Sequence, residues 1–375
     1  MLVSEQQQQV ADAVREFAQA RLKPFAGQWD REHRFPTEAV REMAELGLFG
    51  MLVPEAWDGS ETGYVAYAMA LEEIAAGDGS CSTIASVHNS VACVPILNFG
   101  SDAQRERFLR PLARGDMLGA FALTEPQAGS DARNIQTTAR REGDGYVLNG
   151  AKQFITSGAH ADVVLVFART GDPGARDAIT AFIVPTDTRG FSVARVEDKL
   201  GQRASDTCVL NFDDLHLPAD CRLGEEGAGY RIALANLEGG RIGIAAQAVG
   251  MARAAYEAAR DYARERSSFG RPIIEHQAVA FRLADMATQI TAARQLVLHA
   301  AALREAGRPG LEQACMAKLF ASEMAERVCS DAIQTLGGYG YLADYGIERI
   351  YRDVRVCQIY EGTSDIQRMV IARNL

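Results

Sequence analysis

The stretch Gln358-Ile359-Tyr360-Glu361-Gly362-Thr363-Ser364-Asp365 places one carboxylate on a joint between two helical runs. Before it, Ile347, Ile350, Tyr351 and Val354 recur at i, i+3, i+4 and i+7, one apolar face of an α-helix. The period is lost around Tyr360. Gly362 can stop that helix, and Thr363 or Ser364 can cap the next, with Gln367 three residues after Ser364 as in a capping box. A carboxylate so placed faces the negative end of the first helix, and burial disfavours its charge further. Both push Glu361 toward accepting a proton near neutral pH. From these residues alone, an ordinary solvated turn fits the same pattern.

Composition limits what such a base could serve. The 375 residues are enough for two or three domains, 47% hydrophobic and 23% charged, an ordinary globular mix. A net charge of -10 argues against nucleic acid or an anionic membrane as the main partner, so an acidic ligand needs local arginines. No apolar run in the sequence approaches the ~18 residues of a membrane span. Ser4-Glu5-Gln6-Gln7 reads as a capped helix start rather than a targeting peptide. Cys81, Cys93, Cys208, Cys221, Cys315, Cys329 and Cys357 form no C-x-x-C pair, which suggests reduced thiols and a cytoplasmic, bacterial-type setting, a processed organellar chain being the other option. The histidines show no ligand spacing, and no metal site is expected.

Three textures must position the chemistry. Residues 1–116 are helical in pattern, interrupted by the Pro- and Gly-rich loop Met51–Gly63, with Thr37 and Ser101 as candidate caps. Residues 117–225 carry short β-type runs, Leu118–Leu123, Gly145–Asn149, Ala161–Ala168, Ile179–Val184, Phe191–Val196 and Thr207–Leu215, separated by turn clusters such as Gly171-Asp172-Pro173-Gly174. Their spacing predicts an antiparallel barrel or sandwich. Residues 226–375 return to long helices, Tyr230–Arg266, Glu275–Ala306, Leu311–Leu336 and Ile347–Tyr360, which predict a four-helix bundle. The fold class is α+β, mostly α. There is no G-x-G-x-x-G after a strand, no P-loop and no G-x-S-x-G elbow, so a cofactor would be held in another way.

Four blocks stand in order along this chain: Phe121-Ala122-Leu123-Thr124-Glu125-Pro126-Gln127-Ala128-Gly129-Ser130-Asp131, then Phe154-Ile155-Thr156, then Gln334-Thr335-Leu336-Gly337-Gly338-Tyr339-Gly340-Tyr341, then Ile359–Ser364. Together they resemble the acyl-CoA dehydrogenase family over essentially the whole chain. The segment Leu237-Glu238-Gly239-Gly240-Arg241-Ile242-Gly243-Ile244-Ala245 is most similar to the short-chain and branched-short-chain members. The resemblance implies an FAD enzyme that converts an acyl-CoA to its trans-2-enoyl-CoA, in fatty-acid or branched-chain amino-acid breakdown. Glu361 takes the proton next to the thioester carbonyl, a hydride goes to flavin N5, and electrons pass on to electron-transfer flavoprotein. Gly362 suits close backbone approach there, and Tyr360 is a further substrate contact.

The resemblance also distributes the cofactor contacts. Backbone groups of Phe121, Ala122, Leu123 and Thr124 meet the flavin ring, Gly129 and Ser130 approach the pyrophosphate, and Ser130 also touches substrate. Phe154 stands where the family commonly has Trp and walls the ring with Ile155, while Thr156 donates to N5. Arg266, Phe269, Gln277, Gln334 and the Gly337-Gly338 turn reach the FAD of a neighbouring subunit, and Thr363 and Asp365 complete the cofactor set. Contacts in trans require at least a dimer; family members are usually homotetramers, dimers of dimers. Each group has a plainer alternative: a turn or cap for Ser130-Asp131, strand core for Phe154 and Ile155, a helix-end charge for Arg266.

Some family branches carry the base where this chain has Gly240, which has no side chain to act. Glu238 and Arg241 are then substrate-cleft residues or a structural ion pair. Two other classes compete: an oxygen-using acyl-CoA oxidase of the same fold, and a non-catalytic FAD- or acyl-CoA-binding homologue.

Overall fold

The computed structural model describes residues 3–171, 178–373 and 375; Asp172, Pro173 and Gly174 of the expected turn lie outside them. The chain opens with α1 (Glu5–Phe17), started by a reciprocal capping box between Ser4 and Gln7. A π turn, Ala18–Leu22, carries it into α2 (Lys23–Glu32). Then come α3 (Thr37–Glu45), α4 (Gly63–Gly77), α5 (Gly79–Val87), α6 (Val94–Phe99), α7 (Asp102–Gln104) and α8 (Arg110–Arg114). Ser101 forms the expected cap, again with a capping box to Gln104. Thr37 is the first residue of α3 and not its cap; that place falls to Pro36. With the π turn His88–Cys93, α5 and α6 make one stretch, Gly79–Phe99, long and apolar enough to cross a membrane, although the sequence pattern showed no such run. Over its most apolar 18 residues 94% are buried inside the fold, the condition of a core helix.

The middle of the chain forms one eight-stranded sheet: β1 (Gly119–Ala122), β2 (Thr138–Glu142), β3 (Gly145–Thr156), β4 (Val163–Arg169), β5 (Ile179–Pro185), β6 (Phe191–Val196), β7 (Thr207–Pro218) and β8 (Arg222–Leu223). Its order is β6-β7-β3-β2-β4-β5-β8, with β1 added beside β4. Most pairs are antiparallel, but β1 runs parallel to β4 and β2 meets β4 through a parallel bridge. The two-residue period divides β4 between two cores. Val163, Leu165 and Phe167 face the helices around Ile96, Phe108 and Leu112, while Val164, Val166 and Ala168 face Tyr146, Leu210 and Phe182 inside the sheet. β2 escaped notice in the sequence because Thr-Ala-Arg-Arg-Glu has almost no buried side to alternate.

The C-terminal helices are α9 (Gly229–Glu265), α10 (Gln277–Glu305), α11 (Leu311–Leu336), α12 (Ile347–Val354) and α13 (Ser364–Ala372). Helix α9 packs against α4 as well as α10 and α11. Glycines make the approach to α4 possible: a Cβ at Gly250 would overlap the carbonyl oxygen of Glu72. Four helices are also tied by charge. Glu73 pairs with Arg15 on α1 and Arg253 on α9, and Glu72 pairs with Arg253 and with Arg294 on α10. On α12, Ile347 and Val354 are buried as their spacing predicted, but Tyr351 is 37% exposed, one position too far round the face.

Candidate active site

Helix α12 continues as a 3₁₀ turn, Arg355–Gln358, and the joint follows. Glu361 and Gly362 both adopt positive φ, 54° and 89°. Glycine holds that conformation freely; a glutamate persists there only when its surroundings over-determine it. They do. Lys318, fully buried on α11, donates from Nζ to Tyr360 O at 2.7 Å and to Gly362 O. Gln367 Nε2 donates to Glu361 O at 3.3 Å and to Gly362 O at 2.8 Å. The Tyr360 hydroxyl donates to Gln247 Oε1 at 2.5 Å. Thr363, not Ser364, caps α13, its hydroxyl accepting from Ile366 N–H. Gln367 therefore braces the joint and closes no capping box with Ser364.

The Glu361 carboxylate points at Gly240 of α9, where any Cβ would overlap Oε2. Oε2 is buried and has no hydrogen-bond partner. Burial raises the pKa to about 7, against the pull of Lys318 and then Arg241. Burial thus brings this carboxylate into the range where it can accept a proton near neutral pH. Burial likewise pushes Lys318 down to about 8, with Glu361 opposing.

The neighbouring polar residues divide differently from expectation. Glu238 pairs with Arg304 at 3.4 Å and not with Arg241, and Arg304 also lies over the Tyr64 ring. Arg241 is buried, with Nη1 donating to Cys315 Sγ at 3.4 Å and Nε unpartnered. The Tyr360 hydroxyl is enclosed by Gln247, Thr83, Gln202 and Cys357. It anchors the joint, and only the rest of that side chain is left to meet a substrate.

The strand block is held by a buried ion pair the sequence reading overlooked. Glu125 meets Lys152 at 2.7 Å and accepts from the N–H groups of Gln136 and Thr137, while Lys152 also donates to Leu123 O. Burial alone would raise Glu125, but Lys152 and the Gln136 N–H outweigh it and hold the carboxyl at about 2. Gln153 N–H donates to Thr124 O, fixing Phe121–Thr124 against β3. On the other side His88 accepts from Gly119 N–H through Nδ1 and donates to Leu112 O from Nε2, and burial keeps it neutral with a pKa of about 4. Phe121 leans on Phe167, and Ala122 and Leu123 are buried. Gly129 and Ser130 are exposed, and a Cβ at Gly129 would meet nothing within 4 Å. A register shift between Lys152 and Ile155 puts Phe154 at φ 61°, 61% exposed. Ile155 is sheet core at 2% exposure, the plainer of its two readings; Thr156, beside it, is half-buried.

Four of the bundle residues expected to act together come together, and Phe269 and Gln277 stand apart from them. Arg266, Gln334, Gly337 and Gly338 line one open groove of about 550 Å³ with Tyr262 and Tyr339, and the Arg266 guanidinium lies 5.7 Å from the Tyr339 ring centroid. Gln277 is exposed at the start of α10, and Phe269 is 97% exposed at the tip of the ribbon Ser267–Ser268/Arg271–Pro272. Asp365 is exposed in the first turn of α13, 3.6 Å from Arg368. All seven cysteines are free and buried.

Sequence reasoning missed Lys318, Gln247 and the Glu125–Lys152 pair, and of these Lys318 carried a signal. Lys318 is a lone charge in the apolar stretch Ala314-Cys315-Met316-Ala317-Lys318-Leu319-Phe320, where only a buried partner could accommodate it.

Fold and site together define a helix–sheet–helix enzyme in which the Glu361 carboxylate, with Oε2 buried and unpartnered, faces α9. Family comparison matches three successive models: acyl-CoA dehydrogenase N-terminal domain over residues 4–116, middle domain over 120–215 and C-terminal domain over 227–375. The chain belongs to the acyl-CoA dehydrogenase family, whose members are FAD-dependent flavoproteins. The mitochondrial short-chain specific acyl-CoA dehydrogenase of Rattus norvegicus is 47% identical over 99% of this chain and 90% of its own. Butyryl-CoA dehydrogenase from Megasphaera elsdenii superposes with a TM-score of 0.98 at 42% identity, covering 100% of this chain and 99% of its own. A chain solved in work on the electron transferring flavoprotein of Acidaminococcus fermentans superposes equally well, TM-score 0.98, at 44% identity, covering 100% and 98%.

Proposed function

We propose that this enzyme dehydrogenates a short-chain acyl-CoA, straight or branched, to the trans-2-enoyl-CoA, with Glu361 as the base. The observation that carries this reading is the Glu361 carboxylate itself: its pKa is raised to about 7, and its buried Oε2 receives no protein donor. A buried polar atom without a partner calls for an explanation, and on a joint held at positive φ a substrate supplies one. Glu361 removes the proton from the carbon beside the thioester carbonyl, and its backbone N–H faces the oxygen on which negative charge develops. FAD, when bound, supplies the hydride acceptor for the next carbon. The residues present fit that cofactor: Gly129, Gly337 and Gly338 offer backbone with open space where side chains would stand, and Arg266 offers a fork for phosphate. Phe121–Thr124, Phe154 and Thr156 would hold the ring, and Arg266, Phe269, Gln277, Gln334, Thr363 and Asp365 the rest.

The short-chain relatives support a butyryl-like substrate, and the Acidaminococcus structure supports electron-transfer flavoprotein as acceptor. The open groove on the bundle offers room for cofactor contacts, which on this reading are made between subunits of a homotetramer. Flavin bleaching across a panel of acyl-CoA esters, for wild type and Glu361→Gln, tests the proposal. Bleaching is expected with short esters and should fall by at least ~10²-fold in the variant, with FAD retained. Turnover in Glu361→Gln close to wild type rejects it. Rapid recolouring in air without an added acceptor points instead to an oxidase.

A further inference from the structure

We infer that Lys318 is a positioning residue that aims both reacting groups of Glu361, its carboxylate and its backbone N–H. The inference rests on the reading of Glu361 as the base. Lys318 lies on α11, far in sequence from the joint, and is completely buried. A buried ammonium demands acceptors, and these are the carbonyls of Tyr360 and Gly362, one on each side of Glu361. A clamp on both flanking carbonyls fixes the turn that Glu361, at φ 54°, would otherwise leave.

The peptide between Tyr360 and Glu361 is planar and trans, so its C=O and N–H point in opposite directions. Holding Tyr360 O toward Lys318 therefore turns the Glu361 N–H away from α11. Among the described residues no protein acceptor takes that N–H. A donor without an acceptor, next to a carboxylate oxygen without a partner, is an arrangement completed by a thioester oxygen and its neighbouring carbon. The same ammonium acts on the carboxylate through charge. The other titratable and charged groups around the two are Arg241 on α9, Cys315 on α11, Cys357 on the 3₁₀ turn and Tyr67 on α4. Lys318 opposes the burial of Glu361 more strongly than Arg241 does. Gln367 adds neutral donors to the same turn but brings no charge.

The test uses FAD-loaded wild type, Lys318→Met, Lys318→Gln and Lys318→Arg, with Glu361→Gln as reference. Two readouts separate positioning from mere folding. The first is the ratio of affinities for acetoacetyl-CoA, which presents a charged enolate oxygen, and crotonyl-CoA, which presents a neutral carbonyl. Lys318→Met is expected to lower this preference by about tenfold or more, because the N–H no longer faces the charge. The second is the acidic limb of the pH profile of flavin reduction. It should move to higher pH in Lys318→Met and Lys318→Gln and stay in place in Lys318→Arg. If Lys318→Met does not retain FAD, Lys318→Gln against Lys318→Arg decides the question. An unchanged affinity ratio and an unchanged limb in the neutral variants overturn the role of Lys318. Turnover in Glu361→Gln instead overturns the assignment of the base, whatever the Lys318 variants do.

Discussion

Gly240 on α9 and Glu361 on the C-terminal joint compete for one volume: a Cβ at 240 would overlap Oε2 and lie 2.7 Å from the carboxyl carbon. The absent side chain is what lets the carboxylate approach α9. Gly240→Ala should therefore push the carboxylate out of line while leaving the helix, which gains propensity, intact. The expected outcome is a loss of about 10²-fold or more in flavin reduction, with FAD content and melting temperature near wild type. Unimpaired reduction in Gly240→Ala would show that the carboxylate works from elsewhere.

The pH dependence has a definite sign. A base must be ionised, and Glu361 is held at about 7. Stopped-flow flavin reduction should rise with pH through about 7 and level off above it. The same shift makes stability depend on pH: with its folded pKa above the ordinary value, the contribution of Glu361 is fully present below about pH 4.5 and is lost as pH rises through about 7. A flat rate profile between pH 5 and 8 is the contrary result.

Tyr67 bears on chain length. It is fully buried on α4, bonded loosely to Ser86, and its hydroxyl lies 3.2 Å from where a Cβ at Gly243 would sit, one turn along α9 from Gly240. It lies close enough to Glu361 to feel its charge, so its bulk is set beside the carboxylate. Tyr67→Ala is expected to shift the preferred acyl-CoA toward longer chains, read as relative kcat/KM over a series of esters, and to lower stability by about 3–5 kcal/mol as large-to-small core changes do. An unaltered chain-length profile would place the end of the slot elsewhere.

Arg266 projects into the groove with Tyr339, Gln334, Gly337 and Gly338. Arg266→Ala should reduce the flavin retained after gel filtration, without altering the Glu361 pH limb. Full flavin content in that variant would remove the groove from the cofactor site.

Glu125 and Lys152 hold Leu123 and the following loop from inside the sheet. Lys152→Met strands a buried carboxylate, which costs about 3–5 kcal/mol. Urea unfolding should show that loss at neutral pH. Glu125 is held at about 2, below its usual value, so its contribution is present above about pH 4.5 and disappears as pH falls through about 2. Wild type and Lys152→Met should therefore converge in stability in acid.

By itself the sequence determined what local rules can settle. Periods of 3.6 and 2 placed the long helices and most strands, Phe191–Val196 and Leu311–Leu336 to the residue, and glycine and threonine at the joint marked its turn and cap. The four blocks determined the family. Tertiary structure alone decided which groups face one another. Lys318 reaches the joint, Tyr360 is secured by Gln247, Glu238 takes Arg304, and Gly240 makes room for Glu361, all by the packing of helices far apart in the chain. Periodicity says which face of a helix is buried; it says nothing of what lies against that face. The proton affinity of Glu361 belongs to the same category, since it is set by the burial and the cations that packing brings, and not by the residues beside it in sequence.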